Sequence, residues 1–166
     1  MEWSRILKTG AVSGAIYGVL QGIVSILSYV FYRAEIMKLI QGSLPKNVEI
    51  PMTIEQLVDM GMMFALPGSI IGGIIAGIVF AFIFAIMYNE LVGKTSAKKG
   101  LLLSVLLAVA IALGELTYQG VLGGIFLVTT RFLMLAPLSF VFFIALGYLE
   151  GIFYDKFEEK HPKRHK

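Results

Sequence analysis

Glu115, in the run IALGELTYQG, is the residue best placed to do chemistry in this chain. Counted from Gly100 at 1.5 Å per residue, it lies about 22 Å along an apolar segment that must cross a hydrocarbon core of about 30 Å. An ionisable side chain inside a membrane is a functional-site candidate. Two chemistries fit it. Paired with Arg131 at the outer end of the next segment, it forms a structural ion pair. Unpaired, it is a protonatable carboxyl that carries protons or coordinates a cation. Tyr118 and Gln119 follow within a turn and complete a polar cluster.

A second polar group lies in residues 10–22, GAVSGAIYGVLQG. Ser13, Tyr17, Gln21 and Ser25 recur every fourth residue, so on a helix they form one slowly drifting stripe. Gln21 falls near mid-membrane, where an amide facing lipid would leave its donors and acceptors unsatisfied. It must therefore point at another helix or at water. The first choice is an interhelical hydrogen bond, and the second is the polar wall of a permeation path. Beside this stripe runs another, Gly10, Gly14, Gly18 and Gly22. Apolar burial does not drive helices together in lipid, whereas close backbone approach does, and small residues permit it. Gly72 and Gly77, with Gly68, Gly73, Ala76, Ala81 and Ala85, serve the second apolar segment in the same way. Ala110 and Gly114 serve the third, and Gly147 and Gly151 the last.

The remaining ionisable residues suggest less. Glu90 and Glu150 sit near segment ends beside Tyr88, Tyr148 and Tyr154, where carboxylates face headgroups and water; Glu150, about a turn inside Lys156, has two alternatives, a pair with that lysine or an inward turn. The two histidines, His161 and His165, lie in the polar tail DKFEEKHPKRHK, with no carboxylate architecture around them. No HExxH, GxSxG or phosphate-binding glycine loop occurs. The sequence assembles no base with a nucleophile or metal, so the expectation is a non-enzyme without cofactor or metal.

These residues must be held by membrane helices. Of 166 residues, 57% are hydrophobic and 15% charged, against about 45–50% and about 25% in soluble domains. The mean hydropathy is +0.82. Spans are predicted at about 9–32, 67–91, 100–118 and 137–154, each near the roughly 20 residues that a crossing needs. Residues 53–66 open with a capping-box pattern, Thr53 and Gln56. They read as an amphipathic surface helix that breaks at Pro67 before the second span. Residues 121–136 read as a similar surface or re-entrant element before Pro137. The echo FALPGS and MLAPLS fits either an old duplication of a two-span unit or an independent use of proline to restart a helix.

The net charge of +3 does not indicate nucleic acid, because the basic residues flank apolar segments. Arg5, Lys8, Lys94, Lys98, Lys99, Lys156, Lys160, Lys163, Arg164 and Lys166 fall on one side of a four-span topology. Arg33, Lys38, Lys46 and Arg131 fall on the other. This bias puts both termini in the cytoplasm of a multi-pass cell-membrane protein. The expected fold is thus all-α, a single transmembrane domain over 1–166 with a polar cytoplasmic tail at 155–166. Its partners are the lipid bilayer and a second copy or another membrane protein. Two functions fit: an oligomeric transport or permeation protein, and a non-catalytic subunit or scaffold docked through its glycine faces.

Overall fold

The computed structural model describes residues 2–43, 51–122 and 136–157, and their side chains except at 43, 111–122 and 136–137. These residues form helices α1 (Trp3–Phe31), α2 (Arg33–Ser43), α3 (Ile54–Met87), α4 (Ser96–Leu122) and α5 (Ala136–Lys156). No strand occurs among them. α1, α3 and the Leu138–Lys156 part of α5 are each long and apolar enough to cross a membrane.

The packing is the reverse of a soluble bundle. Large apolar side chains such as Val19, Ile23, Ile71, Ile75, Val79, Leu106 and Val109 point outward. Small and polar ones, among them Thr9, Gly10, Ser13, Gly14, Gly18 and Gly22, are buried. Soluble monomers rarely expose so much contiguous apolar surface, whereas lipid tails accept it.

α1 and α3 run antiparallel with their backbones in contact. A Cβ built on Gly10 would lie 2.5 Å from Ile78 Cα, and one on Gly18 would lie 2.5 Å from the Ser69 carbonyl oxygen. Gly14 faces Gly73 and Gly77, and Gly22 faces Leu66. α4 and α5 form a second antiparallel pair of the same kind, in which Gly100 meets Gly147 and Gly151 meets Ser96 and Ala97. The repeated meeting of a glycine Cα with a facing carbonyl is the geometry of weak Cα–H···O bonds. Between the two pairs lies an apolar core of Phe80, Phe84, Leu91, Leu103 and Leu146. Phe84 makes edge contacts with Tyr88 and Tyr154 at 5.4 and 5.2 Å.

Three features depart from the sequence expectations. The predicted surface helix and second span are one helix of 34 residues with Pro67 inside it. Proline removes one backbone hydrogen bond, but α3 is held to α1 on both sides of that position. Gly61 packs on Tyr29 before it, and Leu66, Ser69 and Gly73 pack on Gly22 and Gly18 around and after it. Second, Gly72 takes no part in this contact. A Cβ there, or on Gly68, meets nothing within 4 Å, and Gly73 faces α1 instead. Third, α2 was not anticipated. It follows α1 after the single residue Tyr32 and packs on the first turns of α3, with Ile36 buried. Arg33 pairs with Asp59 at 2.7 Å. The hydrogen bond and charge of Asp59 hold the Arg33 guanidinium above its ordinary range, so it stays charged.

The capping box at the start of α3 forms as expected. Thr53 Oγ1 accepts from Gln56 N at 3.2 Å, and Gln56 Oε1 accepts from Thr53 N at 2.8 Å. Thr53→Ala should therefore cost about 1 kcal/mol of stability, read as a lower midpoint in thermal unfolding of the detergent-solubilised protein. An unchanged midpoint would mean that the first turns of α3 do not contribute to the cooperative unit. α5 starts at Ala136, so Pro137 sits in its first turn, where a missing N–H costs little.

Candidate functional site

The second face of α1, beside its glycines, carries the polar stripe, and α5 covers it. The two helices run antiparallel, so ascending α1 means descending α5. At the terminal end, Arg5 Nε donates to the Tyr154 carbonyl at 2.5 Å and the guanidinium lies 3.7 Å over the Tyr154 ring. Arg5 also lies 4.0 Å from Asp155. Asp155 accepts the Ser96 hydroxyl, whose oxygen is 2.6 Å from Tyr88 OH. Lys99 Nζ donates to the Tyr88 carbonyl at 2.7 Å and lies 4.1 Å over its ring. The start of α1, the end of α5 and the α3–α4 turn thus gather at one end of the bundle.

Two turns further in, Ser13 Oγ lies 2.5 Å from Glu150 Oε1. Glu150, Ser13 and Thr9 are each 0% exposed. Glu150 Oε2 and Thr9 Oγ1 have no hydrogen-bond partner. Buried polar atoms are seldom left so, and Glu150 is the one acidic or basic residue among the buried polar side chains of the described residues.

Deeper again, the Tyr17 ring meets Phe143 edge-on at 6.3 Å. Gln21 Nε2 donates to Tyr17 OH at 3.1 Å, and Ser139 Oγ donates to Gln21 Oε1 at 3.1 Å. From Ser13 to Gln21 the stripe rises about 12 Å at 1.5 Å per residue. The α1–α5 seam is therefore polar from the end of the bundle to its middle.

Of the residues expected to form a polar cluster, Tyr17 and Gln21 come together, and Ser139 is their partner on α5. Glu115, Tyr118 and Gln119 lie on the far part of α4, and their side chains are outside the described residues. Arg131 is outside them altogether, as are His161 and His165. Of the packing glycines, Gly10, Gly14, Gly18, Gly22, Gly77, Gly147 and Gly151 all meet another helix, and Gly72 does not.

Of the settings open to Glu150, the headgroup region, a pair with Lys156 or an inward turn, the structure has the inward turn, with the side chain buried. Its setting explains this. Gly147 and Gly151 flank it in GYLEG and bring α4 against α5, and α5 continues past it to Lys156. The signal available in the sequence was Ser13, a hydroxyl on an inward stripe that required a partner. Thr9, one turn earlier on the same stripe, was missed. Glu90, by contrast, is exposed as expected.

The described residues are helical apart from their turns, and three of the helices are long and apolar enough to cross a membrane. Comparison with protein-family models, with curated proteins and with solved structures finds no match. The functional reading therefore rests on the chain's own geometry.

Proposed function

We propose that this chain is a small four-span membrane protein of the transport or permeation class, with the α1–α5 seam as its polar path. In this reading α4 is the third of four spans, beside α1, α3 and α5, and both termini lie in the cytoplasm. The basic residues at the gathered ends, Arg5, Lys8, Lys94, Lys98, Lys99 and Lys156, favour that orientation. One observation carries the proposal. Polar groups line a single helix–helix contact continuously, from Arg5 and Asp155 through Ser13 and Glu150 to Gln21 and Ser139. A bundle held together by glycine packing needs no such line. Glu115, with Tyr118, Gln119 and Arg131, would extend the path toward the other face.

Flux in proteoliposomes tests it. Purified protein should raise the passage of protons or monovalent cations above that of empty vesicles. Glu150→Gln and Gln21→Leu should each lower that flux by about tenfold or more, equivalent to a barrier raised by ~1.4 kcal/mol. Wild-type flux that both variants leave unchanged would exclude the seam as the path.

A second reading, a non-catalytic subunit or scaffold, is favoured by the outer face of α3. Gly68, Gly72 and Ala76 are exposed there, and side chains at Gly68 and Gly72 would meet nothing within 4 Å. Such a face could seat a helix of a second copy or of another membrane protein. A folded protein that passes none of the tested ions would leave this as the standing reading.

A further inference from the structure

The Ser13 hydroxyl has one hydrogen and two lone pairs. Its oxygen lies 2.7 Å from the Thr9 carbonyl oxygen, 2.5 Å from Glu150 Oε1 and 3.5 Å from the Gly10 carbonyl oxygen. If Glu150 is ionised, all three neighbours only accept. The single hydroxyl hydrogen can serve one of the two short contacts, and the other becomes two oxygens pressed together with no hydrogen between them. A carbonyl cannot supply the missing hydrogen, but a carboxylic acid can. With a hydrogen on Glu150 Oε1, the acid donates to Ser13 Oγ and Ser13 donates to the Thr9 carbonyl. Every hydrogen then has one acceptor, and the 2.5 Å separation falls in the range of a short O–H···O bond.

The surroundings agree with this count. Of the basic side chains at this end of the bundle, Arg5 is engaged with Tyr154 and Asp155, and Lys99 with Tyr88. The other titratable neighbours along the seam are Tyr17 on α1 and Tyr154 and Asp155 on α5. Glu150 Oε2 is buried and has no hydrogen-bond partner, so no donor stabilises a negative charge on the carboxyl from that side.

We propose that Glu150 is a proton-binding site, its Oε1 holding an exchangeable proton that it donates to Ser13 Oγ. In loading, an O–H bond forms on Glu150 Oε1 and one breaks in a hydronium, whose electron pair stays on the water released. The inference names the proton as the ion of the seam and rests on the permeation reading for the use made of it. The site itself is tested without flux.

The experiment is infrared difference spectroscopy of the full chain in lipid at neutral pH. The expected wild-type spectrum contains the C=O stretch of a protonated carboxylic acid. That band should vanish in Glu150→Gln and move in Ser13→Ala, where its acceptor is gone. Glu150→Gln should also keep the wild-type melting temperature, because an amide N–H replaces the acid O–H as donor to Ser13. Three results would overturn the site: a Glu150 that contributes only a carboxylate band, an acid band indifferent to Ser13→Ala, or a Glu150→Gln chain that does not fold. An acid band without flux would remove the permeation reading and leave the proton site. Flux without the band would do the converse.

Discussion

Gly14→Leu should abolish the folded protein, while Gly72→Leu should leave it intact. Both glycines lie in apolar helices, and both replacements add the same side chain. They differ in what that side chain meets. At Gly14 even a Cβ would strike the carbonyl oxygen of Gly73 and come within 3.0 Å of Gly77 Cα. These are backbone atoms, which cannot turn aside as a side chain can. Overpacking a yielding core costs about 1–3 kcal/mol, and here the helices themselves must separate. Separation would also open the contacts at Gly10 and Gly18, which face α3 on the same stripe. The combined loss approaches the total stability of an ordinary domain, about 5–15 kcal/mol. At Gly72 nothing lies within 4 Å, and leucine is the better helix former by roughly 0.8 kcal/mol. Gel filtration in detergent and thermal unfolding report the result. A Gly14→Leu chain that elutes and melts like wild type would show that α1 and α3 do not meet as described.

That comparison also marks how far the sequence could be read. The glycine stripe of α1 was legible because a period of four survives on any helix. Its counterpart in α3 was not fully legible, because Gly72 and Gly73 are adjacent and only the rotation of α3 selects Gly73. The capping box at Thr53 was legible because it is local. The continuity of α3 through Pro67 was not, since packing by α1 on both sides decides it. The setting of Glu150 stayed open in the sequence because Tyr148 and Tyr154 beside it mark an interface, while Lys156 and the interior were both within reach. Burial follows from Ser13, which lies 137 residues away in sequence.

The echo between FALPGS and MLAPLS extends further than those six residues. Ten residues after each proline stands a glycine, Gly77 or Gly147, and each meets the facing helix, at Gly10 and Gly14 or at Gly100 and Ser104. The two antiparallel pairs thus share a register. Three residues after Gly10 and Gly100 come Ser13 and Leu103. Thirteen after Pro67 and Pro137 come Phe80 and Glu150. Leu103 and Phe80 belong to the apolar core, whereas Ser13 and Glu150 bond to each other. The same places in one architecture accept a leucine and a phenylalanine, so packing alone does not call for a buried acid. Its presence argues for a role beyond holding the bundle together.

Ser13→Ala should therefore destabilise the protein more than the bond it removes would suggest. An interhelical hydrogen bond in a membrane averages about 0.6 kcal/mol. Deleting Ser13, however, leaves both Glu150 oxygens buried without a partner, at a cost of about 1–3 kcal/mol. The second term is the larger and sets the expected loss. Glu150→Leu removes the acid at similar volume, and the remaining Ser13 hydroxyl still bonds the Thr9 carbonyl at 2.7 Å. That single change should cost less. The double variant, with neither group, should be more stable than Ser13→Ala alone. The cycle should return a coupling of about 0.5–2 kcal/mol, within the span observed for residues in contact. Equilibrium unfolding of the four chains in one lipid-like detergent measures it. Strict additivity would mean that Ser13 and Glu150 do not touch, and the polar seam would lose its centre.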